Sequence, residues 1–199
     1  AQAFALIPDT KAKMSLPESF GTVKSIGDSA FEYAKGLEDR IKDWGDIESV
    51  GNKAFYRSDL TELPDTWGKI KNFGSGVFME TTVSKIPDSW GEMTEIPGKM
   101  FENVSTLTTI PSSWGKVTKI NEFAFSKTGL TSIPDSWGEI TWIGTGSLNT
   151  SDGTGNSYGT ITNVPSSWGK VSVIQSYSIN TAVAAYPSDW SGIRFVDEW

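Results

Sequence analysis

Apolar residues recur along this chain in fixed phase with a period near 23 residues, far longer than the 3.6 of an amphipathic helix or the 2 of a half-buried strand. The phrase "IPDSWGEIT" (133–141) nearly repeats "IPDSWGEMT" (86–94), and "LPDTWGKIK", "IPSSWGKVT" and "VPSSWGKVS" are variants of it. With its aromatic as anchor, the copies fall at Phe20, Trp44, Trp67, Trp90, Trp114, Trp137, Trp168 and Trp190, at steps of 24, 23, 23, 24, 23, 31 and 22. Three residues after the anchor stand Val23, Ile47, Ile70, Met93, Val117, Ile140, Val171 and Ile193. Six after it stand Ile26, Val50, Phe73, Ile96, Ile120, Ile143, Ile174 and Val196, and eleven after it Phe31, Phe55, Phe78, Phe101, Phe125, Leu148 and Ile179. Seven before it stand Leu37, Leu60, Val83, Leu107, Leu130, Ile161 and Val183, and an aliphatic residue before Pro completes most copies. One copy cannot bury such a set alone, whereas stacked copies bury like on like.

The pattern predicts a β-rich α/β solenoid of about eight ~23-residue repeats. The short β-branched stretches "VTKI" (117–120) and "LTSI" (130–133) read as strands. The stretch "NEFAF" (121–125) and its equivalents read as a single helical turn, with Pro and Gly at the corners. Residues 1–15, irregular and with a stray "IPDT", read as an N-terminal cap. Residues 16–199 form the solenoid, with an insertion at 149–160 and an irregular C-terminal end.

The stretch "IPSSWGKVTKINEFAFSKTGLTSIPDSWG" (110–138) resembles the BspA-type leucine-rich repeat, whose units read roughly L-x-x-I-x-I-P-x-x-V-x-x-I-G-x-x-A-F. Leu130, Ile133, Pro134, Ile140, Ile143 and Gly144 fill such slots, and "IGDSAF" (26–31) and "VGNKAF" (50–55) are close to the family phrase. The chain departs from it in lacking Cys after A-F, in its Trp-Gly variant repeat, and in a shortened strand, L-x-x-I-P. The resemblance implies a leucine-rich-repeat-like right-handed coil, on or outside bacterial or protist cells, acting in adhesion and partner binding.

Composition narrows the function classes. The chain carries 17 basic and 24 acidic residues, a net charge of -7, which disfavours nucleic acid as a partner. It has no His and no Cys, so Ser-His-Asp and Cys-His triads, ordinary zinc sites and disulfides are excluded. No apolar run reaches membrane-spanning length. No paired Asp/Glu motif recurs as a solenoid hydrolase would need, so the expectation is a non-enzymatic chain without cofactor. Carboxylates in the insertion are too few and wrongly spaced for an EF-hand, so no metal is expected.

The anchor Trp residues allow two readings, a buried plug at each corner or an exposed aromatic track for sugars. Strict phase favours the plug, and Gly after most of them suits a tight corner where backbone passes close to a ring. Trp142 stands apart. It lies five after the anchor, where other copies carry Ser25, Ser49, Asn72, Glu95, Lys119 and Val173, so it is a candidate contact on a mostly polar face. The insertion adds Asp152, Asn156 and Tyr158 as candidates, and the strip Thr108, Thr131 and Thr162 is a third candidate surface. Two after the anchor, Asp46, Lys69, Glu92, Lys116, Glu139 and Lys170 alternate in sign, as a stacked ion ladder would. The expected function is surface or secreted adhesion to a protein or glycan on another cell or surface. A structural spacer or stalk within a longer surface or fibre protein is the second reading.

Overall fold

A computed structural model describes residues 18–151, 159–179, 183, 186–187, 190 and 193–196. The expected cap at residues 1–15 and the candidates Asp152, Asn156 and Tyr158 lie outside the described residues. Strands β1 (Ser25–Ile26) and β2 (Ser49–Val50) pair in parallel. Strands β3 (Glu95–Ile96), β4 (Lys119–Ile120), β5 (Trp142–Ile143), β6 (Val173–Gln175) and β7 (Arg194–Val196) form a second parallel sheet in sequence order. Each strand therefore pairs with the same position one copy away, which is the arrangement of a repeat solenoid. The strands are two residues long in the first five cases and three in β6 and β7. Ile96, Ile120, Ile143 and Ile174 lie in register and buried. In the last copy Phe195, not Val196, aligns with Ile174, so that copy is one residue shorter than the sequence phase implies.

Two local expectations are corrected. "LTSI" is not a strand: residues 130–133 have no ladder, and among the described residues that column shows single bridges alone, at Glu62↔Lys85 and at Asn163. Pro ends each of these segments after a single aliphatic residue, which removes the next backbone donor. "NEFAF" is not a helical turn. Phe123 has φ 53° and Lys127 φ 57°, and the equivalent positions of other copies, Lys53, Arg57, Lys99, Asn103 and Gly76, are also left-handed. The alternation turns three N–H groups per copy toward the following one. Phe123, Phe125 and Lys127 N–H donate to the carbonyls of Thr145, Ser147 and Asn149, each at 2.8 Å. Phe101 N–H donates to Ala124 O at 2.9 Å and Phe78 N–H to Met100 O at 3.0 Å in the same way.

Helical geometry appears instead at the anchor, in 3-10 turns at Asp65–Lys69, Asp88–Trp90, Ser112–Trp114 and Trp168–Lys170. Pro64, Pro87 and Pro111 start three of them, their missing N–H falling where a helix has no acceptor to offer. Among the described residues one α-helical turn, α1 (Leu37–Arg40), follows Gly36 at φ 72°.

The anchor Trp residues are plugs. Trp67, Trp90, Trp114, Trp137 and Trp168 are fully buried. Beside them Phe31, Phe55, Phe78, Phe101 and Phe125 stack with successive centroids 5.2, 5.7, 5.5 and 5.7 Å apart. The Gly after Trp67, Trp90 and Trp114 serves a different contact from the one expected. Its backbone meets the next copy rather than a ring: a Cβ on Gly115 would lie 3.0 Å from Ser136 O, and one on Gly91 3.2 Å from Ser113 O. Serine hydroxyls tie the same corners, Ser136 Oγ donating to Ser112 O at 2.6 Å and Ser167 Oγ to Asp135 O at 2.7 Å.

The indoles are not equivalent. Trp90 Nε1 donates to Pro64 O and Trp137 Nε1 to Pro111 O, both at 3.0 Å, whereas buried Trp114 Nε1 has no partner among the described residues. Trp114→Ala should cost about 3–5 kcal/mol in chemical denaturation. Trp137→Phe should cost ~1 kcal/mol more than Trp114→Phe, because only the former loses an indole hydrogen bond. Equal losses for the two Phe variants would contradict this geometry.

Candidate functional site

The outward slots of the sheet run Glu95, Lys119, Trp142 and Val173 in register. Trp142 is half-buried, flanked by Lys119 and Val173, with the Lys119 ammonium 5.4 Å from its ring centroid. Beside it opens a depression of about 450 Å³ lined by Lys119, Asn121, Glu122, Phe123, Trp142, Thr145 and Gln175. Strand and left-handed turn meet there, so the sheet supplies Lys119 and Trp142 while the turn supplies Glu122 and Phe123. The Phe123 ring covers Gly146 of the next copy, where a Cβ would lie 2.6 Å from its Cε1.

The polar groups in this depression are partly committed. Gln175 Oε1 accepts from Thr145 N–H at 3.1 Å, and Asn121 Nδ2 donates to Ile96 O at 2.9 Å. The Gln175 Nε2, the Asn121 Oδ1 and the Glu122 carboxylate have no hydrogen-bond partner among the described residues. A second, smaller depression of about 190 Å³ shares Gln175 and is lined by Tyr177 and Tyr186, which are 80% and 53% exposed.

Thr108, Thr131 and Thr162 are exposed, but none lines the Trp142 depression. They belong to the column that carries Ser84, where a separate depression of about 320 Å³ is lined by Glu62, Leu63, Asp65, Ser84, Lys85 and Pro87. Of the insertion, only its base is described. Buried Thr150 Oγ1 donates to Gly159 O at 2.5 Å, joining its two ends. No helix among the described residues is long and apolar enough to cross a membrane.

An aromatic cluster that sequence reasoning missed lies on the turn column of the early copies. Tyr33 and Tyr56 rings sit 5.4 Å apart, and the Arg57 guanidinium lies 5.8 and 5.2 Å from their centroids. Arg57 Nε bonds Glu80 at 2.7 Å and Tyr56 OH donates to Glu80 at 3.3 Å. Burial and then the Glu80 charge push the Tyr56 hydroxyl up to about 12. These groups satisfy one another, so the cluster braces the turns. The signal for it was Arg57 and Glu80, adjacent copies of one column with opposite charge.

The charge ladder forms as discrete pairs. Lys116 bonds Glu92 at 2.7 Å and Lys170 bonds Glu139 at 2.6 Å. The Lys116 hydrogen bond, then its charge, holds the Glu92 carboxyl below the usual range. A depressed carboxylate stabilises the fold above its unfolded pKa, and that contribution fades as pH falls through the folded value. The pairs are exposed, so the effect is small.

Against known families, the profile described as BspA type Leucine rich repeat region matches in six copies over residues 24–152. No curated protein sequence matches the chain. Among solved structures, a leucine rich cell surface protein from Faecalibacterium prausnitzii A2-165 is similar at 20% identity and a TM-score of 0.40. The match covers 80% of this chain and 56% of that one. Lys116→Glu places a carboxylate between those of Glu92 and Glu139 and should lower the melting temperature modestly at low salt and less at high salt. An unchanged melting temperature at low salt would show that these side chains are not neighbours.

Proposed function

Because the chain belongs to the BspA-type leucine-rich repeat family, we propose that it is a non-enzymatic recognition module at the cell surface or outside the cell. In this reading a right-handed coil of about eight ~23-residue repeats presents the outward slots of its sheet to a protein or glycan on another cell or surface. The observation that carries it is Trp142. It is a large aromatic in an otherwise mostly polar column, half-buried beside an open depression with uncommitted polar groups. Large aromatics at the centre of a polar rim are the usual anchors of recognition. The interrupted copy also holds the insertion at 149–160, whose Tyr158, Asp152 and Asn156 we assign to the same contact, with the strip Thr108, Thr131 and Thr162 as the next surface.

Trp142→Ala, alone and with Tyr158→Ala, should weaken binding to target cells or glycan arrays while leaving denaturation nearly unchanged. A double variant that binds as well as the parent would overturn this reading and favour a spacer or stalk.

A further inference from the structure

We infer that the Trp142 depression takes a neutral hexopyranose, and that with the adjoining tyrosine depression it takes a short chain of such units; this rests on the recognition reading above. Three features of the site point to this ligand. The first is the ring. An indole face carries negative quadrupole charge, which already draws the Lys119 ammonium to 5.4 Å from the centroid. The same charge draws the axial C–H groups of a pyranose with equatorial substituents, and a flat face matches a flat face.

The second feature is the chemistry of the uncommitted groups. Gln175 Nε2 donates, while Asn121 Oδ1 and the Glu122 carboxylate accept. Vicinal hydroxyls, each donor and acceptor at once, satisfy such a set, whereas an apolar ligand would leave it buried and unpaired. The third is charge. Lys119 and Glu122 are the charged residues lining the depression, and they cancel. The Lys99 ammonium lies 5.7 Å from the Phe123 ring centroid at the same site, but the chain's net charge of -7 sets the wider field against an acidic sugar. The volume of about 450 Å³ lies in the range of small-ligand sites, ~300–1,000 Å³.

The extension to a chain follows from Gln175, which lines both depressions. Tyr177, mostly exposed and held at φ 55°, presents a second ring beside it. A sugar on Trp142 therefore leads to one on Tyr177 past a shared amide.

The test uses cellotetraose, chitotetraose and tri-galacturonate as probes on the full chain, by calorimetry and saturation-transfer NMR. At least one neutral tetraose should bind, more tightly than its disaccharide, with saturation strongest at the ring C–H protons. Trp142→Ala should weaken it by ~tenfold or more and Tyr177→Ala by less, with unchanged melting curves. Preference for tri-galacturonate, or neutral binding untouched by Trp142→Ala, would overturn the inference. If Trp142→Ala abolishes cell binding but no neutral oligosaccharide binds or competes, the pyranose assignment falls and the recognition reading stands. If Trp142→Ala leaves cell binding intact, the recognition reading falls too.

Discussion

Among the described residues five successive copies each hand three backbone N–H groups to the next, and the rest of the molecule follows from that transfer. Phe123, Phe125 and Lys127 donate to alternate carbonyls of the following copy, as do Lys99, Phe101 and Asn103 before them. Directing alternate N–H groups one way requires left-handed φ at two positions per copy, several of them occupied by Lys, Arg, Glu or Phe. Left-handed φ costs a non-glycine residue ~1–2 kcal/mol, so the column persists only because the hydrogen bonds and the stacked core hold it. Those bonds fix the spacing between copies, and at that spacing each Phe of the inner column lands on the next.

The other ladders inherit this register. The inward Ile column of the sheet, the Trp plugs and the paired charges all connect residues 23 or 24 apart, or 31 across the insertion. Glycine after Trp67, Trp90 and Trp114 is the complementary constraint, since a side chain there would crowd a carbonyl of the next copy. The surface face then has little freedom. A residue placed five after the anchor must point outward between its neighbours, which is why Trp142 emerges between Lys119 and Val173.

What the sequence disclosed was what burial writes into it. A column of Phe31, Phe55, Phe78, Phe101 and Phe125 at constant spacing leaves only a stacked core as its meaning, and the BspA-type family follows from the same columns. The turn is hard to read from sequence because most of its left-handed positions carry ordinary side chains; among the described residues Gly76, Gly146 and Asn103 are the ones whose type favours that φ. The segment "LTSI" misled for the opposite reason: its β-branched residues suit a strand, but the following Pro stops any ladder. Trp142 was identifiable because it broke a polar column, whereas its depression was not, since Gln175 reaches it from across the insertion. Tyr158, Asp152 and Asn156 lie outside the described residues, so their place in the site remains a proposal.

The inter-repeat hydrogen bonds are directly observable as through-bond N–C′ couplings in a deuterated sample of this 21.7 kDa chain. The account predicts cross-peaks from Phe78 N to Met100 C′, Phe101 N to Ala124 C′ and Phe125 N to Ser147 C′. Couplings from these amides to carbonyls three or four residues back in their own copy would mean helical turns, and would contradict it.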